Sequence, residues 1–304
     1  MKISYKIIFS IITSLALLAS CGNAKNNTEK DDLDDLLDKH IEEKKQIVDK
    51  AVQDILHSIP SPVELASFVQ SSGSAYTNEL LNDLDRADSY TTDFQKGLGL
   101  GAYGADLGYV NLYQKTGTSL EYLNGIRGVA DELKIGQFFD YATIKRLADN
   151  SHSIDSVLSI STEGFEKMSN YLKEKKRSHI SMAILVGGWL ESLYIATYVA
   201  GQSDKNNEGL VEKIGEQKII LGDINLLLEL YKDDPYVAQL TKDMRQLKGL
   251  YEKVSITYEY SEPVTKEVDG MLVIESNTTS IVNISDDLLK KITKEVKSLR
   301  QKIY

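Results

Sequence analysis

Apolar positions from Leu33 onward recur at helical spacing. Leu33, Leu37, Ile41, Val48, Val52, Ile55 and Ile59 make one stripe, which predicts a helix over 32–58 ended by Pro60. Helix starts follow at intervals. Ser61-Pro62-Val63-Glu64 combines a capping Ser, a Pro at the first helical position and a Glu three residues after the cap. Thr92-Asp93-Phe94-Gln95 and Thr118-Ser119-Leu120-Glu121 repeat the capping-box logic, and Asp234-Pro235 is a cap followed by proline. Between Pro62 and Pro235 lie 172 residues without a proline. Long irregular loops usually contain some, whereas helix interiors exclude it. The pattern predicts further helices near 62–72, 92–115, 118–133, 137–149, 153–176, 179–200, 208–232 and 235–258, with Gly117, Gly201 and Gly209 at breaks.

The periodicity changes at 259–283. Val264, Val268, Leu272, Val273, Ile274, Ile281 and Val282 favour extended structure, and Asp269-Gly270 is a hairpin signal. Ser285 then caps a last helix, with Asp286 and Asp287 in its first turn and Lys297, Arg300 and Lys302 near its end, as the helix dipole favours. The expected fold is all-α, a multi-helix bundle or stacked helix pairs. A helical domain over 32–258 is followed by an extended arm or β-hairpin over 259–283 and a C-terminal helix over 284–304.

The N-terminus follows a different rule. Lys2 and Lys6 precede a short apolar run, Ile7 to Leu18, which ends in Leu18-Ala19-Ser20-Cys21. This resembles the bacterial lipoprotein signal, in which the cysteine after the apolar run is lipid-modified and becomes N-terminal. Residues 1–20 are then a signal peptide. Residues 22–31, polar and without periodicity, form with lipidated Cys21 a tether reaching at most about 35 Å. Cys21 is the only cysteine, so it has no disulfide partner, and multi-cysteine zinc sites are excluded.

The formal charge of −10 becomes −12 once residues 1–20, with two lysines and no acid, are removed. That acid excess argues against nucleic acid as a partner, since phosphate binding needs clustered Lys and Arg. It also leaves the lipid, not the protein surface, to hold the chain at an anionic membrane. The expected location is the bacterial cell envelope, anchored to the outer membrane.

Three stretches, Ser61-Pro62-Val63-Glu64-Leu65-Ala66, Tyr103-Gly104-Ala105-Asp106-Leu107 and Gly187-Gly188-Trp189-Leu190-Glu191, resemble those of an uncharacterised family of helical lipoproteins from Gram-negative bacteria. The likeness spans roughly Ile41 to the C-terminus. It implies the same address and an all-helical body, and it brings no substrate or catalytic residue.

Several patterns could carry chemistry. Gly99-Leu100-Gly101-Ala102-Tyr103-Gly104 spells a dinucleotide fingerprint, yet no buried strand precedes it. The better reading is helix packing, with Gly97, Gly101, Gly104, Ala105 and Gly108 forming a narrow face for a close neighbour. Ile180 to Ala200 is the most apolar run after the signal. Ser181, Glu191, Ser192 and Thr197 within it favour a helix buried in protein over a membrane span. Asp106, Tyr109 and Tyr113 share their acid-x2-Tyr-x3-Tyr spacing with Glu191, Tyr194 and Tyr198, which puts each acid on one helical face with its tyrosines. Trp189 lies beside the second set. A polar pocket between these helices could hold a cationic or polyhydroxylated ligand; the structural alternative is acids that accept hydrogen bonds inside the core.

Other templates are weak. HExxH, GxSxG and P-loop motifs are absent. His40, His57, His152 and His179 fall at helix surfaces or ends and suggest no metal site. Lys173 to Arg177 reads as a solvated helix end. Asp155-Ser156-Val157 resembles an O-glycosylation signal, and a helix cap explains it equally well. The expectation is a non-enzymatic binding or scaffold lipoprotein without a cofactor. Its partner would be another envelope protein or a small polar solute or glycan.

Overall fold

A computed structural model of the chain describes residues 50–139, 146–147, 150, 153–202, 207–259, 264–268, 271–275 and 279–304. The expected signal, Cys21 and expected tether, His40, His152, Asp269-Gly270, residues 32–49 of the first expected helix and most of the expected 137–149 helix lie outside them. All described residues belong to one unit, Asp49–Tyr304.

Nine helices are described: α1 (50–58), α2 (Pro62–Ser71), α3 (Asp93–Leu112), α4 (Thr116–Glu132), α5 (Ile154–Glu174), α6 (Ser178–Gln202), α7 (Glu208–Leu230), α8 (Pro235–Tyr251) and α9 (Asp286–Ile303). Short 3-10 turns occupy Asn78–Leu80, Leu84–Ser89 and Gly136–Phe139. Four strands, β1 (Ser255–Glu259), β2 (Val264–Val268), β3 (Met271–Glu275) and β4 (Thr279–Asn283), come between α8 and α9. The fold is all-α with a small β appendage, as expected.

Most helix starts follow the capping signals. Ser61 accepts from the Val63 amide, and Thr92 and Gln95 form a complete capping box. Asp234 accepts from the Tyr236 and Val237 amides, and Ser285 from that of Leu288. Each such cap contributes about 1 kcal/mol by satisfying an amide that the helix leaves without a partner. Thr118 departs from expectation. Helix α4 begins at Thr116, after Lys115, without a side-chain cap. Gln114, at φ 56°, turns the chain so tightly after α3 that the next helix starts before Thr118 is reached. Ser119 instead donates to the Asn111 side chain.

The second departure is the end of α8, which stops at Tyr251 and not near 258. Lys218 of α7 donates to the carbonyls of Glu252 and Val254 and so ties down the chain just past the helix end. Residues 255–259 then pair as β1 with β4, from Ser255↔Asn283 to Glu259↔Thr279. Inside this pair lies the expected hairpin, β2 with β3, from Val264↔Glu275 to Val268↔Met271. The arm and α9 share one unit with the helices before them.

Helix α6 runs through the centre. It is long and apolar enough to cross a membrane, and its most apolar window is wholly enclosed by the rest of this protein. The backbones of α3 and α6 meet directly. A Cβ at Gly101 would fall 1.9 Å from the Ile184 carbonyl oxygen, and one at Gly187 would fall 2.0 Å from that of Leu98. Glycine is required at both positions because the contact leaves no room for a side chain. Of the predicted narrow face, Gly97 also meets α6 while Gly108 meets Val63 of α2. Gly104 meets nothing. Helix α9 closes the other side with Leu288, Ile292, Val296 and Leu299 buried.

Candidate functional site

The α3–α6 contact carries both acids into the core, where Asp106 and Glu191 are fully buried. An ionised carboxylate there must be paired. The guanidinium of Arg300, from the last turn of α9, meets Glu191: its Nε lies 2.8 Å from Oε2 and 3.0 Å from Oε1. Its terminal nitrogen donates to the Leu80 carbonyl at 2.9 Å, and its plane lies over the Tyr194 ring, 4.2 Å from the centroid. Four residues on, the Tyr304 hydroxyl donates to the Gly187 carbonyl at 2.5 Å. The C-terminus is therefore clamped onto α6 at two points.

Asp106 is held differently. The backbone and side-chain nitrogens of Asn82 both donate to Oδ2 at 3.0 Å. The Tyr122 hydroxyl in turn donates to the Asn82 carbonyl. Burial, and then the neighbouring charge of Glu191, push the Asp106 carboxyl well above the usual range. Burial also raises Glu191, against the pull of Arg300. One positive charge serves two carboxyls, so one of them keeps its proton. Asp106 is the one without a cation in contact. Its Oδ1 is buried and has no hydrogen-bond partner. Asp106, pushed up by burial and by Glu191 and without a cation in contact, is the acid that holds its proton more tightly, beside a Glu191–Arg300 pair.

The tyrosines sharing the acids' helical faces turn elsewhere. Tyr109 and Tyr113 cluster with Tyr76, with ring centroids 5.0–5.6 Å apart. The Tyr109 hydroxyl accepts from the Thr77 amide, and that of Tyr113 donates to the Ser74 carbonyl. Burial pushes the Tyr113 phenol up to about 12. Tyr194 backs Arg300, and Tyr198 packs against Tyr194 at 6.2 Å. Trp189 points to α7, where its Nε1 donates to Gln217 at 2.9 Å. The two acids share one buried cluster, but neither Asp106 nor Glu191 lines either of two cavities found among the described residues. Arg300 contacts Glu191 and Asn82 contacts Asp106 Oδ2, while Asp106 Oδ1 and Asn82 Oδ1 are buried without a hydrogen-bond partner.

Arg300 was legible only as a dipole-favoured cation. A sharper signal was available: Ile292, Val296 and Arg300 lie four residues apart, so Arg300 continues the apolar stripe of α9 and points inward. Asn82, in an irregular segment, had no such signal.

The open space lies on the opposite side of α3. A cavity of 410 Å³ is bounded by α1, α2, α3, α4, α5, α6 and the Gly136–Phe139 turn. Its buried lining, including Leu56, Val63, Leu107, Ile126, Met168 and Ile184, contains no polar side chain. Its polar lining residues, His57, Ser61, Ser161, Thr162 and Glu166, all retain solvent exposure. Gly104 of α3 and Gly164 of α5 both border it, and a Cβ at either would meet no heavy atom within 4 Å. The fingerprint-like glycines thus sit in mid-helix, with Gly101 against α6 and Gly104 toward empty space. Their amides belong to the α3 backbone ladder, not to a phosphate-binding loop.

A second cavity, of 200 Å³, lies between α2, α6, α7 and the β1–β4 pair and includes Phe68, Trp189, Glu216 and Tyr258. Among the described residues no cluster of His, Cys, Asp and Glu could hold a metal ion. His57 is exposed, and burial lowers His179. The Lys173–Arg177 run ends α5 as expected, but Arg177 is engaged, donating to the Leu133 carbonyl at 2.8 Å and to Asp93 at 2.9 Å. Ser153 caps α5 by accepting from the Ser156 amide, and Asp155 lies in its first turn.

In comparisons with known proteins the chain matches no family model, no curated protein and no solved structure.

Proposed function

We propose that the chain is a lipid-anchored protein of the bacterial cell envelope that works by binding, without catalysis, and that its ligand is apolar. The observation that carries the ligand reading is the 410 Å³ cavity with an apolar buried lining and polar groups confined to its exposed part. Its size is within the range of small-molecule sites, about 300–1,000 Å³. A buried apolar wall without hydrogen-bonding partners selects against polar ligands, since each polar atom taken in would lose its water. The acid pair lines neither cavity, and Arg300 holds Glu191 while Asn82 holds Asp106 Oδ2, so the pair lends a solute or glycan site less support. The apolar run ending at Cys21 supports the anchor.

Two measurements test this. Protein isolated from native membranes is extracted with organic solvent, and the extract is analysed by mass spectrometry. The reading expects one apolar compound near equimolar amount; an extract matching only bulk membrane lipid refutes it. For the anchor, Cys21→Ala is expected to give a soluble or unprocessed product. A variant still processed and membrane-bound would rule the anchor out.

A second reading, a scaffold for another envelope protein, is favoured by the exposed Ile219, Leu226 and Leu230 along α7. Crosslinking from these positions to a single envelope protein would support it.

A further inference from the structure

The cavity walls say more about the ligand than that it is apolar. We infer that the 410 Å³ cavity is a slot for a single unbranched acyl chain, with the polar end of the ligand held at the exposed part. This rests on the reading of the cavity as a binding site and adds the chemical class.

Three observations point the same way. The first is extent. The lining runs along α3 from Leu100 to Leu107 and along α5 from Ile160 to Met168. At the rise of an α-helix these spans are about 10 and 12 Å. The second is the nature of the walls. Gly104 on α3 and Gly164 on α5 leave stretches of bare helix surface, and the lining residue Ala105 adds only a methyl. The remaining buried lining is Leu, Ile, Val and Met, flexible aliphatic groups that follow a chain of methylenes. Aromatic side chains, which would stack on a flat ring, enter only as Phe138, Phe139 and Phe165, none of them fully buried. The third is polarity. His57, Ser61, Ser161, Thr162 and Glu166 leave a polar head group next to water, whereas no deep residue could hydrogen-bond to one. An amphiphile with one polar end fits that arrangement.

Gly104 supplies a clean test. Leucine there fills the slot from a position where the first side-chain atom meets nothing. Gly128→Leu is the control: that glycine is exposed on α4, also has open space and does not line the cavity. The full chain, reconstituted in phosphatidylethanolamine/phosphatidylglycerol vesicles, is exposed to three photoreactive probes. These are a long-chain fatty acid with a mid-chain diazirine, a phospholipid carrying the same chain, and a compact diazirine-bearing naphthalene. Crosslinks are mapped by peptide mass spectrometry.

The expected result is labelling by a chain probe at lining residues such as Leu107, Ile126 or Met168, lost in Gly104→Leu and kept in Gly128→Leu. The melting temperature of Gly104→Leu should equal or exceed the wild type. If Gly104→Leu does not fold, Gly164→Leu blocks the slot from the facing helix. Labelling by the free acid alone, or by the phospholipid alone, supports the slot and identifies the source of the chain. Chain labelling that persists in a folded Gly104→Leu overturns the inference. Labelling by the naphthalene alone overturns the acyl-chain class and leaves the apolar-site reading standing. No lining crosslink from any probe overturns both.

Discussion

Two sides of α3 make an instructive contrast. Asp106 and Gly104 are two residues apart, about 200° around the helix. On the Asp106 side the protein has filled its own space: Arg300, Asn82, Tyr122 and Tyr304 occupy hydrogen-bonding positions, and the contacts are short. On the Gly104 side the space is left open and the lining has no polar chemistry at depth. Residues that look reactive in the sequence hold the core together, and a residue with no side chain borders the candidate binding site. Buried ionisable groups need partners so strongly that the fold supplies them, whereas an apolar wall can remain without one.

The contrast can be tested first by removing Arg300. Arg300→Met leaves Glu191 buried without a cation and should destabilise by about 3–5 kcal/mol in urea unfolding. Replacing Glu191 and Arg300 together by Met should recover much of that loss, because no uncompensated charge remains. A single-mutant loss below about 1 kcal/mol would mean that the pair is not sealed.

The next test stays on α3. Gly101→Ala puts a methyl into the Ile184 carbonyl and should cost about 1–3 kcal/mol or more. Equal stability would show that the two backbones do not touch.

Asp106→Asn probes the proton. With its folded value raised above the unfolded one, Asp106 keeps a proton that the unfolded chain releases near pH 4. The wild type should then lose about 1.4 kcal/mol per pH unit relative to Asp106→Asn as pH rises from about 4 toward the folded value, and no more beyond it. The amide can still accept from Asn82 and donate toward Glu191, so the variant should fold. Parallel stability curves between about pH 4.5 and 6.5 would show that Asp106 is ionised in the folded state.

The smallest expected effect is a gain. Gly104→Ala meets open space and removes a helix-weakening glycine, so it should stabilise by about 0.5–1 kcal/mol. A loss of stability there would mean that the space is not open.

The helical body was readable because its signals are local. Ser61-Pro62, Thr92 with Gln95, Asp234-Pro235 and Ser285 each satisfy amides within a turn, so each start is set by neighbouring residues. The end of α8 was not readable, because Lys218 and the distant strand β4 hold the residues just past Tyr251. The acid clusters were readable as residues, while their contacts were not. Spacing places Asp106 with Tyr109 and Tyr113 on one face, yet the hydroxyls go to residues 74–77, which no helical period describes.

By itself, then, the sequence determined the all-α class, most helix starts, the buried course of Ile180 to Ala200 and the close packing of Gly97 and Gly101 of α3 against a neighbour. Each depends on propensities and periods that act over a few residues. Only the tertiary structure decided that Arg300, 109 positions after Glu191, neutralises it. It likewise decided that Gly101 is filled by α6 while Gly104 is left empty. Those outcomes depend on which helices approach from each side, and charge pairing and steric exclusion act across space, whatever the separation along the chain.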